Sequence, residues 1–202
     1  MKKTNMFCLV LLFVLFLSPH TQSQTPDEAS AIDYTGTSLL GAGFYFGYYN
    51  YSYLGSRSLS VPPMSAYYEL GVHEYITVGP FFGYAQWSYR YTFLNSTSNY
   101  TWSFMHIGAR GSFHLVSLLN EAFGDSFDEE KIDIYLTAMS GLEFRNYSFQ
   151  SGINPENYDN RWRIFFGPIA GIRYYFSDNF AVYFEGGRGA LGAASIGITT
   201  RF

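Results

Sequence analysis

From residue 36 onward, apolar side chains return at every second position. That period belongs to a strand with two unlike faces. Eight segments show it: 38–48, 61–72, 75–91, 101–115, 131–149, 162–176, 180–187 and 193–202. In the fourth, Met105, Ile107, Ala109, Phe113 and Leu115 oppose His106, Gly108, Arg110, Ser112 and His114. In the fifth, Ile132, Ile134, Leu136, Ala138, Leu142 and Phe144 oppose Asp133, Tyr135, Thr137, Gly141, Glu143 and Arg145. The others repeat the scheme, with glycine and charge gathered on the less apolar face.

The connections alternate in length. Only His73-Glu74 separates the second and third segments, and only Ser177-Asp178-Asn179 the sixth and seventh. Residues 49–60, 92–100 and 150–161 make longer links, rich in Asn, Ser and Tyr. Residues 116–130 break the short side, and their SLLNEAFG predicts one or two helical turns. An even strand count, with short turns at one end and long loops at the other, predicts an all-β fold: an eight-stranded antiparallel up-and-down transmembrane barrel. In hydrocarbon no sheet edge can stay open, so the strands must close.

The polar face decides between a soluble and a membrane barrel. It carries Glu69, Arg110, Glu143, Arg145, Arg163, Arg173 and Glu185, while Lys131 is the only lysine after residue 3. A water-washed exterior favours many flexible lysines. Paired Arg and Glu among glycines suit a cramped, polar, plugged lumen, because the guanidinium fork matches a carboxylate. We therefore expect a lumen charge network of these seven residues, structural or gating. Trp87, Trp102 and Trp162 all fall at the long-loop end, with Tyr48, Tyr89, Tyr91, Tyr100 and Tyr147 near the same level, and predict an aromatic girdle at the lipid boundary.

The start of the chain has a different pattern. Met1-Lys2-Lys3 precedes the uncharged run MFCLVLLFVLFL (residues 6–17), then Ser18-Pro19, with small Thr21 and Ser23 ahead of Gln24. This is the three-part export pattern, and the run is too short to span a bilayer as a helix. The expected organisation is a cleaved signal over 1–24, a short, loosely held periplasmic lead-in over 25–36, and the barrel over 37–202. Export would follow the Sec route to the outer membrane and leave both mature termini in the periplasm.

Composition narrows the chemistry. Aromatics make up 21% of the chain and charged residues 14%, against disorder. Without the signal, 10 basic residues face 16 acidic ones, a poor balance for nucleic acid. The one cysteine, Cys8, lies in the signal, so thiol chemistry and disulfides are not expected in the mature chain. His73, His106 and His114 fit no compact metal spacing, and neither cofactor nor metal is expected. No GxSxG elbow occurs, and the reading is not an enzyme. GGRGALGAA (186–194) lacks the Lys of a phosphate loop and reads as the last surface turn. Asn50, Asn95, Asn99 and Asn146 head N-x-[ST] triplets, read as loop composition.

The ending Gly197-Ile198-Thr199-Thr200-Arg201-Phe202 resembles the closing strand of bacterial outer-membrane proteins. The stretches ITVGPFFGYAQ (76–86), MHIGARGSFHL (105–115) and GLEF (141–144) resemble the small outer-membrane barrel domain related to OmpA and OmpX, especially versions from Bacteroidetes-type bacteria. The likeness covers residues 36–202. It implies outer-membrane lipid and the barrel assembly machinery as partners, with Phe202 in the assembly signal. It implies architecture rather than activity, and leaves three roles: a structural or surface-interaction barrel, a narrow pore for small solutes or ions, and an adhesin acting through its loops. No ligand of those loops can be named.

Overall fold

The computed structural model describes residues 33–47, 58–93, 96–124, 127–150 and 155–202. The expected signal, most of the lead-in, and parts of the long links lie outside these residues. The strands are β1 (Ser38–Phe46), β2 (Ser58–His73), β3 (Ile76–Phe93), β4 (Ser96–His114), β5 (Ile132–Gln150), β6 (Pro155–Ser177), β7 (Phe180–Gly187) and β8 (Ala194–Arg201). Each pairs antiparallel with its sequence neighbours, and β8 closes on β1. Helix α1 (Val116–Phe123) fills the link between β4 and β5.

Alternation gives the barrel its two faces. Phe44, Phe82, Ile107, Phe144, Phe184 and Ile198 point outward and are exposed, while Tyr67, Glu69, Phe104, Arg110, Tyr135 and Glu185 point inward and are buried. Ordered the other way, such a barrel would hide its grease and wet its charges. The observed order suits hydrocarbon outside and a packed interior of eight-strand size, so this is a transmembrane barrel. No helix among the described residues is long and apolar enough to cross a membrane.

Two expected loops are strand instead. β3 and β4 stay paired as far as Phe93 and Ser96, and β5 and β6 as far as Gln150 and Pro155. β7 and β8 are far shorter, and β7 reaches only Ile169 on β6. The hairpins β3–β4 and β5–β6 therefore stand well above the short strands. Alternation detects a half-buried strand, and backbone pairing continues where neither face is apolar. The register of β2 on β3 slips between Val61 and Met64, where Pro62 and Pro63 bring no N–H to the ladder.

The short-turn end is more ordered than expected. Residues 33–37 are docked, with Gly36 N donating to Gly71 O at 2.9 Å and Gly71 N to Thr37 O at 2.8 Å. In the longer link, buried Asn120 of α1 donates to Phe127 O at 2.9 Å and Glu129 Oε1 at 2.7 Å, and accepts from Phe127 N at 3.0 Å. One amide side chain thus replaces the apolar core that so short a segment cannot supply.

Candidate functional site: the barrel interior

Three inward-facing tyrosines each lie over a glycine of the neighbouring strand. Tyr67 pairs with Gly41, Tyr135 with Gly171 and Tyr183 with Gly197. A Cβ at Gly41 or Gly171 would lie 2.3 Å from Cζ of the facing ring, so hydrogen there is what lets the ring lie down. Guanidinium groups cover two of the rings: Arg110 sits 3.9 Å from the Tyr67 centroid and Arg173 3.9 Å from that of Tyr135.

Carboxylates lock these cations. Arg110 Nε donates to Glu69 Oε1 at 2.7 Å, and its Nη2 to Glu185 Oε1 at 2.8 Å. Arg173 Nη1 donates to Asp133 Oδ2 at 2.7 Å, and its Nη2 lies 3.6 Å from Glu69 Oε2. Hydroxyls occupy the remaining lone pairs: Ser112 donates to Glu69 at 2.8 Å, Ser195 to Glu185 at 3.0 Å and Tyr135 to Glu185 at 3.0 Å. All these ionic groups are buried, which is tolerable only because each is paired and hydrogen-bonded.

A second cluster lies nearer the long-hairpin end. Glu143 accepts from His106 Nε2 at 2.8 Å, from Arg163 Nη2 at 2.9 Å and from Arg145 Nε. The seven charged residues expected in one network therefore divide in two: Glu69, Arg110, Arg173 and Glu185 in one group, Glu143, Arg145 and Arg163 in the other. Asp133 and His114 join the first group and His106 the second. Sequence placed all three on this face, but gave them no partner because a partner depends on register across strands.

The interior is not polar throughout. Tyr67, Phe81, Met139, Ile169 and Tyr183 form one buried apolar cluster, and Tyr45, Ala85, Phe104 and Leu191 form another. Leu191 comes from the expected surface turn, which folds back into the lumen and leaves that side chain 1% exposed. Arg188 N donates to Pro168 O at 2.9 Å and Ala193 N to Phe46 O at 2.9 Å, fixing the loop across the mouth. Gly189 permits the approach, since a Cβ there would lie 2.6 Å from Tyr45 Cε1.

Two of the expected girdle tryptophans belong to this plug. Trp87 and Trp102 pair in register and pack on the Leu191 cluster, with Trp87 edge-on to Phe104 at 5.4 Å and Trp102 5.0 Å from Tyr147. Their positions have the parity of buried Ala85 and Phe104, which turns both toward the axis. Trp162 has the opposite parity and is 67% exposed. Phe202 follows the end of β8 and is partly buried.

Thr77, His114 and Asp133 are spaced like a nucleophile relay, at 3.1 and 2.8 Å. A working relay needs the hydroxyl hydrogen aimed at the histidine. Here Thr77 gives it to Glu69 at 3.0 Å, and the hydroxyl is buried. Among the described residues no group of His, Cys, Asp and Glu is placed to hold a metal ion.

No protein-family model matches this sequence, and no curated protein is similar to it. Solved structures are similar in fold. The N-terminal β-barrel domain of Pseudomonas aeruginosa OprF has 14% identity, with 83% of this chain and 98% of that one covered and a TM-score of 0.44. Ail, the attachment invasion locus protein of Yersinia pestis, solved with the heparin analogue sucrose octasulfate, has 13% identity, 83% and 99% coverage and a TM-score of 0.46. A de novo designed transmembrane β-barrel has 16% identity, 83% and 97% coverage and a TM-score of 0.42. The closed strand order of this chain itself establishes an eight-stranded antiparallel barrel.

Proposed function

We propose that this protein is a sealed outer-membrane barrel whose role is structural and is exercised at its outward surface. One observation carries the reading: side chains fill the interior from mouth to mouth. Tyr34 and His114 close the short-turn end, the Arg110–Arg173 network and the Tyr67 cluster fill the middle, and Leu191 with Trp87 and Trp102 closes the other end. This packing favours a plug over a narrow pore. Single-channel recording in planar bilayers tests it. Silence is expected, and steady unitary conductance from the intact chain would overturn it.

In this reading the short turns and both mature termini face the periplasm after Sec export. Phe202 ends the assembly signal, and Trp162 sits at the outer lipid boundary. In this reading the filled interior leaves no room for a solute, and the role is structural rather than enzymatic. A second reading, surface attachment, has its own support: the tall β3–β4 and β5–β6 hairpins present extended backbone beyond the short strands. Cells carrying the chain with residues 90–99 removed should lose attachment to a host or abiotic surface that the intact chain confers. Unchanged attachment would dispose of that role.

A further inference from the structure

Helix α1 is fastened by one side. Val116 lines the small pocket at the short-turn mouth with Tyr34, His114 and Asp133. Ser117 Oγ donates to Glu129 Oε2 at 3.0 Å, and buried Asn120 holds Phe127 and Glu129. At about 100° per residue these three positions share one arc of the helix. The other way round from Val116 come Phe123, Leu119, Ala122 and Leu118, an unbroken apolar arc that ends at Glu121. Ala122 is exposed, Phe123 is 73% exposed, and the two leucines are half-buried. A surface helix in water has this reversed: its apolar side docks and its polar side is wet. Here the docked side has Ser117 and Asn120, and the side turned away has the apolar arc.

Leu115 shows where that arc points. It follows the outward row of β4, after Ile107, Ala109 and Phe113, while His114 faces the lumen. Its N–H still donates across to Ile134 O of β5 at 2.7 Å. Yet its backbone is already helical, with φ −108° and ψ −17°, and its carbonyl accepts from Leu119 N at 2.9 Å. Counted round the helix, Leu115 falls between Ala122 and Leu119, in the middle of the apolar arc. The outward row of the wall therefore runs on into the arc without a break, as lumen-facing His114 runs on into Val116. The wall at this end is apolar as well, with Phe113, Leu136 and Ile172 exposed.

We propose that α1 is an interfacial anchor: Leu118, Leu119, Ala122 and Phe123 sink into the lipid leaflet that meets the short-turn end, and α1 extends the apolar belt of the barrel wall onto that surface. Its 8 residues make a helix about 12 Å long, too short to cross a bilayer and suited to lying along it. α1 carries no Lys or Arg, so apolar area holds it rather than attraction to anionic headgroups. Glu121 stays on the wet edge. The bond at Leu115 and the contacts of Asn120 fix the helix before it meets lipid, so little ordering is left to oppose insertion. The inference holds whether or not the barrel conducts, and whichever end faces the periplasm.

The test uses the full mature chain in lipid vesicles. Cys8 is the chain's one cysteine and lies in the expected signal, so an introduced cysteine alone takes a nitroxide label. Ala122→Cys reports the arc, Glu121→Cys its wet edge, and Leu136→Cys the belt of the wall. Collisions with oxygen, which concentrates in hydrocarbon, are compared with collisions with a water-soluble nickel chelate. We expect the oxygen-to-nickel ratio at Ala122→Cys to be several-fold above that at Glu121→Cys and close to that at Leu136→Cys. The order should be the same in phosphatidylcholine alone and with phosphatidylglycerol added. Should Ala122→Cys fail to fold, Leu118→Cys reports the same arc and carries the same expectation. A ratio in the arc equal to that at Glu121→Cys would overturn the proposal. So would a label shielded from both reagents, which puts protein rather than lipid over the arc, or an order that appears only with phosphatidylglycerol.

Discussion

Arg110 bridges Glu69 and Glu185 in a buried site, so removing its side chain leaves two carboxylates facing each other. Arg110→Ala or Arg173→Ala should cost ~3–5 kcal/mol, the usual effect of breaking a buried pair. Lys131→Ala removes an exposed, solvent-screened pair with Asp128 and should move the midpoint far less. Urea midpoints in detergent would show the difference, and equal shifts would speak against an interior network. Gly171→Val drives a side chain into the Tyr135 ring and should cost ~1–3 kcal/mol or more on the same scale. At the mouth, hydrogen bonds from the Thr35 hydroxyl and amide hold the Asp33 carboxyl below the usual range. A lowered carboxyl stabilises the fold above its unfolded value and stops doing so as pH falls through its folded one. Asp33→Asn should therefore speed Gly36 exchange at neutral pH and make no difference in strong acid.

The β7–β8 connection shows how an element can mislead a sequence reader. Gly186, Gly187, Gly189 and Gly192 announce a turn, and the turn is there. What composition conceals is that Leu191 finds Tyr45, Ala85 and Phe104 within reach across the lumen. Leu191→Ala should cost ~2–5 kcal/mol, as for other buried leucines. It should also loosen the backbone around the already exposed Arg188 enough for trypsin to cut there while the strands stay protected, and an uncut loop would argue that the inward fold does not depend on Leu191. The strand hairpins err in the other direction. Thr92, Thr97 and Tyr100 favour extended backbone, yet the polar stretch around them has no alternation to mark it.

For the molecule as a whole, exposed Phe44, Phe82, Ile107 and Phe184 form an apolar belt around a closed sheet. The purified chain should need detergent or lipid, and should migrate differently on gels before and after boiling. Identical migration, or a monomer stable in plain buffer, would contradict a closed barrel in hydrocarbon. In the sealed reading proposed above, stability and sealing come from the same side chains.

The alternation of Met105, Ile107 and Ala109 with His106, Gly108 and Arg110 was enough to assign strands, their number and the two faces, because side-chain direction in a strand has a period of two and needs no partner. Even the inward turn of Trp87 and Trp102 was written in their parity. Which groups meet was not. Glu143 reaches His106 only through the register of β5 on β4, and Arg110 of β4 reaches Glu185 of β7 only once the closed sheet sets those strands facing across the lumen. Local pattern determines which way a residue faces, whereas pairing across the barrel determines what it touches, and the plug, the charge network and the covered His114 all follow from the second.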